Sequence, residues 1–255
     1  MKDNSTPPQE IYDDFYFSHA CGGHEEFTST KGEKLSPWMT YALFLADLKP
    51  GEKVLDLGTG RGEIAYHAAK KGCYSIGLDY AMAAMGLAKD LREKAKTQKN
   101  PFELILSDAR YFPFNPNQFN VILMLDIVEH LSPDDLLRVL KQVYSHLKPG
   151  GRLIIHTMPN LNYYRWGYPI YRGFLKIFGK HLPKDPRDRF YHGEVHVNIR
   201  TPKSLYSYLH NSVFDDITVN LTQLSGSKIK IFLCRLFPLK FILANDIIAI
   251  AKKKA

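Results

Sequence analysis

The chain has 255 residues, of which 34 are Lys or Arg and 26 are Asp or Glu, giving a formal charge of +8. With 45% hydrophobic and 24% charged residues it has the composition of a folded protein, not of a disordered tail. Cys21, Cys73 and Cys234 are widely spaced with no CxxC pair, which argues against a disulfide framework and a thiolate zinc site. The charge is split unevenly. Residues 1–160 carry 18 basic and 20 acidic side chains, whereas residues 161–255 carry 16 basic and 6 acidic. Lys2, Asp3 and Asn4 lead into Pro7-Pro8, so no secretory signal is expected. The apolar stretch Ile229–Ala251 is broken by Lys230, Arg235, Pro238, Lys240 and Asp246 and makes a poor membrane span. The expectation is a reduced, cytoplasmic, soluble protein.

Residues 1–35 read as an N-terminal arm or cap, with a short helix around Tyr12–Phe17 and a turn at Cys21-Gly22-Gly23-His24. Ser36 and Pro37 supply an N-cap and first helical residue for a helix to Leu48, ended by Lys49-Pro50-Gly51. Strands are then expected at 54–57, 74–79, 102–106, 119–125 and 152–157, with helices at 62–71 and 81–95 between them. Ser132, Pro133, Asp134 and Asp135 open a further helix with an acidic first turn, closed at Lys148-Pro149-Gly150-Gly151. Such alternation specifies parallel strands joined by crossover helices on both faces. After residue 158 comes an aromatic, basic segment, then a helix from Thr201-Pro202 to His210. A strand at 217–221, a basic-apolar stretch at Lys228–Leu243 and a last strand at 247–251 complete the chain. The divisions are an arm (1–35), a core (36–160), a lid insert (161–200) and a C-terminal completion of the sheet (201–255).

The most specific feature is Val54-Leu55-Asp56-Leu57-Gly58-Thr59-Gly60-Arg61-Gly62. Glycines after a first strand let the backbone approach a ligand and turn sharply into a helix. A P-loop would need Gly-Lys-Ser/Thr, and here Gly62 is followed by Glu63 and Ile64. In the dinucleotide fingerprint position 63 would be Gly or Ala. Asp56, two residues before the first glycine, would moreover repel a pyrophosphate and attract a cation. Asp79 closes the second strand, where a carboxylate can accept from both ribose hydroxyls. Asp108 closes the third strand and Asp126 follows the fourth. Four carboxylates thus surround the crevice where open α/β sheets bind ligands. Any one of them could merely cap the next helix. Together they suit a ligand bearing an ammonium and a sulfonium.

These motifs resemble those of the class I S-adenosylmethionine-dependent methyltransferases, of the ubiquinone-biosynthesis and small-molecule type. The matching residues are Asp56–Gly62, Gly77-Leu78-Asp79, Ser107-Asp108-Ala109, Asp126-Ile127-Val128-Glu129-His130-Leu131 and Leu147-Lys148-Pro149-Gly150-Gly151. The resemblance implies a Rossmann-like α/β fold, doubly wound, with seven strands and the last antiparallel. It implies that Asp56, Gly58, Thr59, Gly60 and Gly62 form the loop around the methionine part of S-adenosylmethionine. Asp79 would hold the ribose, Tyr80 would flank the adenine, and Asp108 and Ala109 would contact its amino edge. Asp126, or the backbone beside it, would face the methionine ammonium.

Methyl transfer from a sulfonium is an in-line displacement, so alignment supplies much of the acceleration. A hydroxyl acceptor also needs a base, and His suits neutral pH. His130 is the first candidate and His196, from the lid, the second; His156 and His192 are further options. For each the alternative is a histidine that bonds locally or packs. Asp126, Glu129 and His130 could also converge on a divalent cation if they share a helical turn. The resemblance to metal-dependent ubiquinone-type and small-RNA 2′-O-methyltransferases is weakened because Asp126 stands where they have Glu.

The lid holds Tyr163, Tyr164, Trp166, Tyr168, Tyr171, Phe174, Phe178, Phe190 and Tyr191. Ile170, Tyr171, Phe174, Leu175 and Phe178 follow helical spacing, and Arg172, Lys176 and Lys180 repeat on another side. Lys184, Arg187 and Arg189 extend the charge. Three partners fit: a small or lipid-linked, anionic acceptor, a peripheral membrane surface, or a nucleic acid. The alternative is a lid whose rings pack on the core. Lacking an RNA-binding module, the chain ranks nucleic acid below a small or lipid-linked acceptor. The expected function is methyl transfer to such an acceptor at oxygen. RNA 2′-O-methylation and non-catalytic cofactor binding are the alternatives.

Overall fold

In the computed structural model the described residues are 5–96, 102–189, 191–224, 228–236 and 238–255. Lys2, Asp3, Asn4, Phe190 of the aromatic insert, and Phe237 of the basic-apolar stretch lie outside them. The elements in chain order are α1 (His24–Thr30), α2 (Pro37–Ala46), β1 (Lys53–Leu57), α3 (Glu63–Lys70), β2 (Tyr74–Asp79) and α4 (Met82–Ala95). Then follow β3 (Glu103–Leu106), β4 (Phe119–Leu125), α5 (Pro133–His146), β5 (Leu147–Thr157) and α6 (Tyr168–Ile177). The chain finishes with α7 (Pro202–Asn211), β6 (Asp216–Thr222), α8 (Lys228–Leu233), α9 (Leu239–Leu243) and β7 (Asp246–Lys252).

The seven described strands form one sheet in the order β3-β2-β1-β4-β5-β7-β6. β7 runs antiparallel to both β5 and β6, and the other pairings are parallel. The period of two along a strand divides the apolar residues between two layers. Val121, Leu123 and Leu125 of β4 pack with Met39, Leu43, Ile64 and Ala68 of α2 and α3. Ile122 and Met124 face the other way, onto Leu136, Val139 and Leu140 of α5 and Leu205 and Leu209 of α7. Each fully buried Leu, Ile or Val contributes roughly 1.5–3 kcal/mol. A strand slipped by one residue would exchange the two layers, so register is tightly specified.

The helix starts follow the expected chemistry. The Ser132 hydroxyl accepts from the Asp135 amide, and Thr201 and Ser204 form a reciprocal capping box. Two boundaries differ from expectation. α5 stops at His146, because Leu147 already pairs with Phe119 and Lys148–Gly151 bulges outward before Arg152 resumes pairing with Val121. The short helix expected around Tyr12–Phe17 is shifted to residues 14–20, where it is of π type over Tyr16–Ala20, and a 3-10 turn at Gln9–Ile11 precedes it. The first α-helical element of the arm is α1, after Gly23 with φ 78°.

That arm folds across the carboxyl ends of the strands. The Thr6 hydroxyl donates to Asp135 at 2.6 Å and accepts from the Ser132 amide at 2.8 Å. The Tyr80 hydroxyl donates to the Pro7 carbonyl, and Arg61 donates to the carbonyls of Phe17 and Gly22. No helix among the described residues is long and apolar enough to cross a membrane.

Candidate active site

The β1–α3 turn is built on β2. The amides of Gly58 and Thr59 both donate to the Leu78 carbonyl, at 2.8 and 3.0 Å. The Thr59 hydroxyl then donates to the Asp56 carboxylate at 2.6 Å. This arrangement needs Gly77, since a Cβ there would lie 2.7 Å from Thr59 Oγ1. The Gly60 amide donates to one Asp79 oxygen at 2.9 Å and the Ala81 amide to the other at 3.0 Å. Asp56 and Asp79 are 2% and 7% exposed. Burial pushes Asp56 up to about 7, with the Asp79 charge adding to it and the Thr59 bond opposing it. Burial also raises Asp79, against the backbone amides that hold its ionised form. Two crowded, desolvated carboxylates call for a positively charged or strongly donating ligand.

Asp56, Gly58, Thr59, Gly60, Asp79, Tyr80, Asp108, Ala109 and Asp126 all line one cavity of about 240 Å³. Gly62 does not. Its φ is 80° and a Cβ there would lie 2.9 Å from that of Ala88, so it allows α4 to pack beside α3. Asp108 is already matched, through a two-pronged pair with Arg110 at 2.6–3.0 Å.

Asp126 takes up a left-handed conformation, φ 52°, and accepts from His156 Nδ1 at 2.6 Å. This contradicts the reading of Asp126 as one of three metal ligands on a helical turn. It also removes His156 from the candidate bases. His156 is fully buried, stacks on Trp38 at 4.7 Å, and does not line the cavity. Burial alone would lower its pKa, but Asp126 and Asp246 outweigh that and raise it. His192 turns away as well, bonded to Glu194 at 2.8 Å.

His130 and His196 do reach the cavity, with ring centroids 5.1 Å apart. Glu129 joins them, one donor atom of each lying within 4.8 Å of the others. One carboxyl and two imidazoles could hold a divalent ion, with other oxygens completing the four to six positions it takes. The Glu129 carboxylate, however, already accepts from the Thr157 hydroxyl at 2.7 Å, and burial together with Asp126 raises its pKa. His130 Nδ1 lies 2.8 Å from the Tyr12 hydroxyl. Burial holds His130 well below the usual histidine range and His196 at about 4, so both are neutral at pH 7.

Tyr12 is the residue that sequence reasoning did not single out. Its phenol is pushed far up by burial, so it stays protonated. Its neighbours Tyr16 and Tyr80 lie 5.1 and 5.7 Å away, ring to ring. The arm is fastened by Arg61, which pairs with Glu63 at 2.8 Å while both are almost fully buried. Cys21 also lines the cavity, its thiol pushed up to about 11 by burial. From the lid come Tyr191, Val195 and His196, with Met158 at its base.

A glycine turn on a 3-2-1-4-5-7-6 sheet, with carboxylates at consecutive strand ends, is the arrangement of the S-adenosylmethionine-dependent methyltransferase fold. A family model described as a methyltransferase domain matches residues 54–151. Demethylmenaquinone methyltransferase of Oceanobacillus iheyensis is 28% identical over 186 residues, covering 71% of this chain and 76% of that one. Ubiquinone biosynthesis O-methyltransferase of Coxiella burnetii is 30% identical over 142 residues, covering 54% of this chain and 56% of that one. A phosphoethanolamine N-methyltransferase of Haemonchus contortus, solved with phosphomonomethylethanolamine and S-adenosylhomocysteine, shares the fold. Its TM-score is 0.67 at 16% identity, covering 97% of this chain and 60% of that one. The family model spans less than half of the chain, and together with these relatives and the shared fold it supports a class I S-adenosylmethionine-dependent methyltransferase.

Proposed function

We propose that this chain methylates an oxygen of a small or lipid-linked acceptor, with His130 as the base. The observation that carries this reading is a neutral, buried His130, bonded to Tyr12, in the cavity that Asp56 and Asp79 also line. S-adenosylmethionine, when bound, supplies an electrophilic methyl group on a sulfonium. Asp79 would accept from the ribose hydroxyls, its carboxylate being held in place by backbone amides of Gly60, Tyr80 and Ala81. Asp56 and the Gly58–Gly60 backbone would hold the methionine portion, Asp126 its ammonium, and Tyr80, Asp108 and Ala109 the adenine.

With His130 Nδ1–H donated to Tyr12, Nε2 presents its lone pair. His130 Nε2 would take the proton of the acceptor oxygen as that oxygen receives the methyl group and the cofactor's methyl–sulfur bond breaks to leave S-adenosylhomocysteine, and Tyr12 would steady the imidazolium. His196, also neutral, adds no charge to oppose that step. A small acceptor is supported by the relatives named for demethylmenaquinone and ubiquinone biosynthesis, and by the phosphomonomethylethanolamine in the Haemonchus complex. The test is a labelled-methyl assay on fractionated cell extract, with calorimetry on S-adenosylhomocysteine beside it. Label in organic-soluble small molecules is expected. Label confined to RNA, or none despite cofactor binding, would reject this reading.

A further inference from the structure

Two segments of the basic part of the chain contain no carboxylate. Residues 161–184 hold Arg165, Arg172, Lys176, Lys180 and Lys184, and residues 223–245 hold Lys228, Lys230, Arg235 and Lys240. The first segment contains α6. Tyr168 and Leu175 turn that helix toward the protein, Tyr168 being 1% exposed and donating to the Pro183 carbonyl. Trp166, Ile170, Phe174, Ile177 and Phe178 recur on successive turns and face outward, between 56% and 80% exposed. Arg172 and Lys176 stand two positions off the Ile170–Phe174 row, toward the other side of the helix, Lys180 follows just beyond its end, and none of the three is in an ion pair among the described residues. The alternative of a lid whose rings pack on the core holds for Tyr163 and Tyr168 and not for Trp166, Phe174 and Phe178.

The second segment meets the first. α9 packs against the Tyr163–Gly167 turn so closely that a Cβ on Gly167 would collide with the Ile242 carbonyl. Lys230 of α8 lies 4.1 Å above the Tyr163 ring. Phe232 and Phe241 add two exposed rings, 60% and 49%. So large an apolar surface rimmed by one sign of charge marks a binding face.

We propose that α6 and the adjoining α8–α9 segment form a docking face for an anionic lipid bilayer. The apolar side chains enter below the headgroups and the Arg and Lys side chains meet the lipid phosphates. Charge decides the occupant. A second copy would set an acid-free basic face against its like. Among the most exposed side chains are Ile170 and Ile177, which have no ring for a nucleic-acid base to stack on. Because the lid's Tyr191, Val195 and His196 line the cavity, docking would place the cavity beside the membrane. The inference stands on surface residues alone and does not depend on which acceptor is methylated.

The test is co-sedimentation of the whole chain with vesicles of phosphatidylcholine alone or mixed with phosphatidylglycerol. Binding is expected to the mixed vesicles, weakened by salt, with little to the neutral ones. Ile177→Glu with Phe178→Glu should abolish it, and Lys176→Gln with Lys180→Gln should lower partitioning roughly ten- to thirty-fold. Unchanged affinity for S-adenosylhomocysteine will show that these variants are folded. A wild type that stays in the supernatant with anionic vesicles overturns the proposal, as does undiminished binding by the Glu variant. An Ile177-dependent dimer, or RNA binding, without vesicle binding overturns it equally.

Discussion

The Tyr12 hydroxyl and His130 Nδ1 lie 2.8 Å apart although 118 positions separate them in the chain. The bond joins the arm to the end of the fourth strand and orients the imidazole. Tyr12→Phe is expected to lower kcat by roughly ten- to a hundredfold, and His130→Ala by about 10²–10⁴-fold. Affinity for S-adenosylhomocysteine should stay within about twofold, and the double variant should be no worse than His130→Ala alone. Equal loss of cofactor affinity in Tyr12→Phe would make the bond a mere fastening.

Asp79 holds the turn and, by the proposed reading, the ribose. Replacing it by Ala removes charge-assisted bonds worth roughly 1.5–3 kcal/mol each, so cofactor affinity should fall at least about tenfold. Calorimetry reads this directly; affinity within twofold of wild type would place the ribose elsewhere.

Arg61 is 2% exposed and bonds Glu63 and two carbonyls of the arm. Arg61→Met strands the Glu63 carboxylate and should cost about 3–5 kcal/mol. Amide exchange should accelerate most at residues 5–30. Uniform acceleration across the sheet would contradict the fastening role.

The buried histidines give stability a defined pH dependence. In the unfolded chain they titrate near about 6.5. Burial lowers His196 to about 4 and holds His130 well below its ordinary value. The native state thus binds fewer protons in that window. Their contribution is complete above pH ~6.5 and falls by at most about 1.4 kcal/mol per histidine per pH unit on acidification. Asp56, raised to about 7, acts oppositely, since its native form keeps a proton that the unfolded chain has lost. The contribution of His196 is isolated by the difference in Tm between wild type and His196→Gln. That difference should shift against the wild type from pH 7 to 4; a constant difference would refute the sign.

For the Glu129–His130–His196 cluster, activity is expected to survive EDTA, because Tyr12 and Thr157 already engage His130 and Glu129. Loss of activity with chelator, restored by Mg²⁺ or Mn²⁺, would assign a metal there.

The sheet was legible because its strands are continuous apolar runs punctuated by Gly, Pro and capping residues, and so were the strand-end carboxylates. What each carboxylate does was not. Asp126 and His156 are 30 positions apart, and only the pairing of β4 with β5 brings them together. Nor does a local pattern reveal that Arg61, between Gly60 and Gly62 of the turn, holds the arm. Tyr12 sits among other aromatic residues, and its partner is set by how the arm crosses the sheet. Gly62 looked like a ligand-facing glycine because spacing alone does not separate close approach to a ligand from close approach to a helix.

Because β7 runs back beside β5, Thr157 at the end of one strand pairs with Ile247 at the start of the other. Asn160 then bonds Ala244 and Asn245. The insert after β5 and the loop before β7 consequently leave the sheet at one place, on the half remote from β1 and β2. Both can be lengthened, shortened or exchanged without disturbing the register that forms the glycine turn. The architecture separates a fixed donor half from a graftable recognition half. A chimera carrying another relative's two segments between residues 158–200 and 223–245 offers a direct route to redirecting this enzyme.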